Sequence, residues 1–203
     1  MKRNAFSVAL LVVLVVAMLG GCIRKEDLSG KTVLMVLSEK DFRDNEFKVP
    51  KEYLEKAGAK IEVATTSGAE AVGVGGLHVD ADISLEDVDV SKYDAIVFIG
   101  GPGTKKYLWP SKQAQRIARD AVDSNRVVGA ICLAPVVLAR ADVINGLRVT
   151  GFPDQQLKDE IQAAGATYTG KSVEKDGLVI TASGPSAAGA FARALAEALA
   201  GSG

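Results

Sequence analysis

Short, continuous apolar runs that alternate with longer amphipathic segments constrain this chain more than any other feature. Thr32–Leu37, Ala95–Ile99 and Val127–Ile131 are rich in β-branched residues, the pattern of strands buried on both faces. Ile61–Ala64, Leu147–Thr150, Ser172–Glu174 and Leu178–Thr181 read as further strands, the last two joined by a turn at Lys175-Asp176-Gly177. Helices are expected over about Glu46–Ala57, stopped by Gly58, and over Ser111–Asp123 and Val136–Ala141. A further helix spans Pro153–Ala164, with its proline in the first turn. The last helix, from about Ser186 to Ala200, sets Phe191, Leu195 and Leu199 on one face. Val72–Ile83, carrying Gly73, Gly75 and Gly76, reads as a small hairpin excursion. The alternation implies an α/β three-layer sandwich, a mostly parallel sheet with helices on both faces. Sites in such sheets lie at the carboxyl ends of strands, where Gly100–Gly103 and Cys132 fall.

The N-terminus belongs to a different kind of segment. Lys2 and Arg3 precede an apolar stretch, Val8–Leu19, that is short for a bilayer span. Leu19-Gly20-Gly21-Cys22 has the form of a prokaryotic lipobox. Residues 1–21 are therefore expected to be a lipoprotein signal peptide, with Cys22 the lipidated residue and 22–30 a tether. The globular domain is expected over 31–203. Acyl chains on Cys22 would make the protein an extracytoplasmic, membrane-anchored lipoprotein of a prokaryote. About 180 mature residues suffice for one domain with a substantial core.

Twenty-four Lys and Arg against 25 Asp and Glu give a formal net charge of −1, with no basic stripe. That balance excludes the electrostatic footprint of a nucleic-acid binder. One histidine and one thiol far apart form no zinc pattern, so neither a metal nor another cofactor is expected. Gly30-Lys31-Thr32 resembles the tail of a phosphate loop but precedes a strand instead of following one.

Cys132 is the candidate for chemistry. In Gly129-Ala130-Ile131-Cys132-Leu133-Ala134-Pro135 a strand ends abruptly and a helix begins. A thiol on that bend is held out of the sheet, near a helix N-terminus that favours thiolate. The plainer reading is a small cysteine filling space in the core.

Taken in order, Gly100-Gly101-Pro102-Gly103, Ala130-Ile131-Cys132 before Ala134-Pro135, and Ser183-Gly184-Pro185 before the last helix resemble the PfpI/DJ-one superfamily. The resemblance runs from Lys31 to about Ala200. It implies a flavodoxin-like sandwich, frequently homodimeric, with the nucleophile at the position of Cys132. It also implies an acidic partner within Asp41-Phe42-Arg43-Asp44-Asn45-Glu46-Phe47, where Glu46 is the match. That acid would share a proton with the sulfur, the two titrating as a unit. Gly101 and Leu133 are the expected oxyanion donors, since a carbonyl attacked by sulfur develops charge on oxygen.

One departure bears on the reaction. Peptidase-type members place a histidine immediately after the cysteine, and this chain has Leu133. His78, the only histidine, could act as a base only by reaching over from the glycine-rich hairpin, or from a second subunit. Loss of the base weakens amide hydrolysis more than addition to an aldehyde, because only the amide needs a protonated leaving group. The expected partner is a small-molecule carbonyl, in glyoxalase- or deglycase-like chemistry. The alternatives are an oxidant, with Cys132 as a redox sensor, and a peptide, with a PfpI-like peptidase activity.

Overall fold

The computed structural model describes residues 26–202, so the expected signal peptide and Cys22 lie outside the described residues. The chain runs through β1 (Thr32–Val36), β2 (Lys40–Phe42), α1 (Asp44–Lys56), β3 (Lys60–Thr65), β4 (Ala71–Gly73), β5 (His78–Val79), β6 (Ile83–Ser84) and β7 (Ala95–Phe98). It continues with α2 (Gly103–Tyr107), α3 (Lys112–Asp123), β8 (Val127–Ile131), α4 (Pro135–Arg140), β9 (Arg148–Val149) and α5 (Gln155–Ala163). β10 (Thr167–Tyr168), β11 (Val173–Asp176), β12 (Val179–Ala182) and α6 (Ala188–Ala200) complete it.

Seven strands form the central sheet in the order β11-β12-β8-β7-β1-β3-β6. All neighbours are parallel except the β11–β12 hairpin. α1 and α6 pack together on one face, while α3, α4 and α5 cover the other, giving the flavodoxin-like sandwich. The apolar runs become β1, β7 and β8 because each is buried from both sides: every residue of β7 and β8 is inaccessible or nearly so. Gly129 in β8 lets α6 come close, since a Cβ there would stand 2.9 Å from Leu195 and 3.0 Å from Phe191. Both side chains are fully buried, as the spacing of the last helix implied.

Several local expectations are corrected. The strand at Leu147–Thr150 shrinks to β9, which leaves the main sheet and pairs with β10, a strand the sequence did not signal. Pro153 sits outside α5, because Asp154 caps the helix by accepting from the Leu157 N–H; a carboxylate cap outweighs the tolerance of the first turn for proline. The glycine-rich segment does contain a hairpin, β4–β5, but it also adds to β2 in a small second sheet, and its end, β6, joins the edge of the main sheet. α1 begins two residues before the expected start and keeps Pro50 inside it. The last helix starts at Ala188, after a 3-10 turn over Pro185–Ala187. Within the expected tether, Leu28 is fully buried and its N–H donates to the Ala57 carbonyl at 2.8 Å, so the end of the tether is anchored to the domain at that residue.

Candidate active site

The bend after β8 has the geometry expected of an elbow. Cys132 adopts φ +63°, a left-handed conformation that a non-glycine residue holds only where its surroundings over-determine it. Three hydrogen bonds do so: Cys132 N–H donates to the Ala182 carbonyl at 2.8 Å, Phe152 N–H donates to the Cys132 carbonyl at 2.9 Å, and Ala134 N–H reaches Ile131 at 3.0 Å. The next peptide is fixed by Trp109, whose buried indole N–H donates to the Leu133 carbonyl at 2.8 Å.

Glu46 arrives from the first turn of α1. Pro50 has no N–H to offer the Glu46 carbonyl four residues earlier, so this turn depends on anchors outside the helix. Arg43 N–H donates to the Gly100 carbonyl at 2.9 Å, and the Asp44 carboxylate accepts from the Gly75 and Leu77 N–H groups at 2.8 and 3.0 Å. The Glu46 side chain is 0% exposed, and neither carboxyl oxygen has a hydrogen-bond partner of ordinary geometry. Its nearest polar company is the Cys132 thiol and the Gly100 amide. Gly100 is the hinge of this arrangement. A Cβ there would stand 2.6 Å from both Cys132 Cβ and Glu46 Oε2 and 2.5 Å from the Ile131 oxygen, so only glycine lets the acid and the sulfur meet.

Burial raises the Glu46 carboxyl to about 7, against the opposing pull of the Cys132 hydrogen bond, the Arg43 charge and the Gly100 amide. Burial, then the charge and hydrogen bond of Glu46, raise the thiol to about 12, while the amides of Gly101 and Leu133 pull it down. This corrects the expectation that the helix N-terminus would set the thiol: desolvation and a neighbouring acid outweigh the terminus of the six-residue α4. Between those limits the pair holds one proton. Thiol with carboxylate and thiolate with carboxylic acid are two tautomers of that state, and the two amides favour the second.

The sulfur opens into a cavity of about 260 Å³, lined by Gly101, Leu133, Arg43 and Lys105 with apolar walls from Phe152 and Pro185. Four of the expected site residues, Cys132, Glu46, Gly101 and Leu133, are thus brought together. His78 is not: its side chain is 63% exposed on β5, paired with Glu70 at 3.1 Å, and does not line the cavity. The sequence assigned no role to Arg43, Lys105 or Phe152, which follow no local periodicity. The one available signal was the place of Arg43 at the mouth of the acidic motif.

A protein of Methanocaldococcus jannaschii of uncharacterised role is 39% identical over 83% of this chain and 82% of its own length. A deglycase of Pyrococcus abyssi is 30% identical over 71% of this chain and 85% of that protein. The crystal structure of a ThiJ/PfpI domain protein from Brachyspira murdochii superposes with a TM-score of 0.80 at 29% identity, covering 86% of this chain and all of that one. The DJ-1/PfpI family profile matches residues 31–198. The elbow, the buried acid and the sandwich that carries them therefore stand in a chain that belongs to the DJ-1/PfpI family.

Proposed function

We propose that Cys132 is a nucleophile toward small reactive carbonyl compounds, in glyoxalase- or deglycase-like chemistry. The observation that carries this reading is the fully buried Glu46 carboxyl set against the Cys132 thiol in the wall of a cavity, with two backbone amides at the sulfur. In the thiolate tautomer, Sγ attacks the carbonyl carbon. As the C–S bond forms, the C=O π pair moves onto oxygen, which meets the Gly101 and Leu133 N–H groups. The proton held by Glu46 then passes to that oxygen and leaves a hemithioacetal and a carboxylate. No leaving group is expelled, so no histidine is required.

Turnover of methylglyoxal or release of its adducts should vanish in Cys132→Ser and fall at least a hundredfold in Glu46→Gln, a loss in the range of general acid–base catalysis. Unchanged rates in both variants would remove the reading. A redox role is favoured by one observation, the lack of any other partner for the Glu46 oxygens: a sulfenic acid on Cys132 could donate its O–H to them. Intact-mass measurement after mild peroxide separates the two, since oxidation without carbonyl turnover supports the sensor. Within one protomer the peptidase reading lacks its base, because His78 lies at the surface beside Glu70 and does not line the Cys132 cavity. We further propose that the domain works at an extracytoplasmic membrane surface, as the lipobox at 19–22 implies. Incorporation of labelled palmitate that disappears in Cys22→Ser tests this.

A further inference from the structure

Two cationic residues, Arg43 and Lys105, line the Cys132 cavity, and they are not equivalent. Lys105 is already occupied: its ammonium donates to Asp154 at 2.8 Å and to Gln156 at 3.3 Å. Arg43 is not. No salt bridge joins it to a carboxylate among the described residues, and its Nε is buried with no hydrogen-bond partner. Arg43 lines both the Cys132 cavity and a more open one beside Asp44 and Val74. No acidic side chain lines the Cys132 cavity; Glu46 lies behind the sulfur and Asp154 behind Lys105.

A guanidinium with a free, buried N–H is a planar fork built for a carboxylate. Pro102, Phe152 and Pro185 add apolar walls that offer a small ligand no competing polar partner. Small volume limits the ligand to a few atoms between charge and carbonyl. We propose that the carbonyl compounds accepted by Cys132 carry a carboxylate, seated on Arg43; this deepens the nucleophile reading and rests on it. For glyoxylate the step is addition of Sγ to the aldehyde carbon, the π pair going to oxygen and the Glu46 proton following it, with the carboxylate unchanged on Arg43. A neutral dicarbonyl gains nothing from that residue.

Alkylation of Cys132 in the full domain by iodoacetate and iodoacetamide tests this, because the ratio of the two rates cancels any change in sulfur ionisation. The wild-type ratio should exceed that of free cysteine at least tenfold, fall to the free-cysteine value in Arg43→Gln, and be partly kept in Arg43→Lys. Glyoxylate should protect Cys132 at lower concentration than glyoxal does, and lose that advantage in Arg43→Gln. A wild-type ratio equal to that of free cysteine, or one that survives Arg43→Gln, overturns the inference while Cys132 remains a nucleophile. A Cys132 inert to both reagents overturns the nucleophile reading itself.

Discussion

The elbow after β8 and the glycine-rich hairpin use the same device in opposite surroundings. In each, glycines open the backbone so that two N–H groups meet an acidic group. At the elbow the recipient is the Cys132 sulfur, largely withdrawn from water beside the fully buried Glu46, and burial raises both acids despite the amides. At the hairpin the recipient is the Asp44 carboxylate near solvent. There burial is the largest single influence and pushes the carboxyl up, but the Gly75, Leu77 and Asp44 N–H groups, with the Arg43 charge, together outweigh it and hold it below the usual carboxylate range. Hydrogen bonds and charge therefore prevail at the hairpin, where burial is slight, and desolvation prevails at the elbow, where burial is deep. The two regions are also joined mechanically, since Asp44 and Glu46 share the first turn of α1.

The sharpest way to break the comparison is to fill the space between its two acids. Gly100→Ala should abolish Cys132 alkylation and destabilise the fold by about 3 kcal/mol, the scale of a severe overpacking, because the new methyl would collide with Cys132, Glu46 and backbone at once. Alkylation kinetics and denaturant melts read both effects.

The desolvated acid should next betray itself through pH. Glu46 binds its proton more tightly in the folded state, with a pKa near 7 against the ordinary 4.5. Stability from this group is therefore full below pH 4.5 and is lost as pH rises through 7. The loss is on the order of 3 kcal/mol. Denaturation at pH 5 and pH 8 should show that slope in the wild type and a much flatter one in Glu46→Gln. An equal slope in both would place the buried charge elsewhere.

The hairpin arm should yield less. Asp44→Ala removes two charge-assisted bonds at a partly solvated site and should cost about 1–2 kcal/mol. It should also shift the pH profile of Cys132 alkylation, because the turn carrying Glu46 loses its anchor. Gly73→Ala presses on the same carboxylate, 2.7 Å from the new Cβ, and should move the profile in the same direction. His78→Ala should change stability by less than about 0.5 kcal/mol and leave the alkylation profile unaltered. A large effect there would return the histidine to the reaction.

Legibility differed between these regions for a physical reason. The strand-to-helix break at Cys132 and the glycines at 100 and 101 are local signals, visible because a sharp bend needs particular residues at adjacent positions. The partnership of Glu46 with Cys132 came from family resemblance alone, since 86 residues separate them and no periodicity spans that gap. Nothing local marked Arg43, Lys105 and Phe152 as neighbours, or β10 as a partner for β9. The hairpin glycines were read correctly as a turn, but their service to Asp44 was hidden, because it is a contact between side chain and distant backbone.

By itself the sequence determined the sandwich, through runs that can be satisfied only inside a covered parallel sheet, and it determined the bend that carries the sulfur. Tertiary structure alone decided how deeply that sulfur is buried, which acid is set beside it and which arginine is left without a carboxylate partner in the same cavity. Hydrophobic periodicity is a property of neighbours along the chain, whereas desolvation and Coulombic fields depend on distances in space that only the folded packing sets.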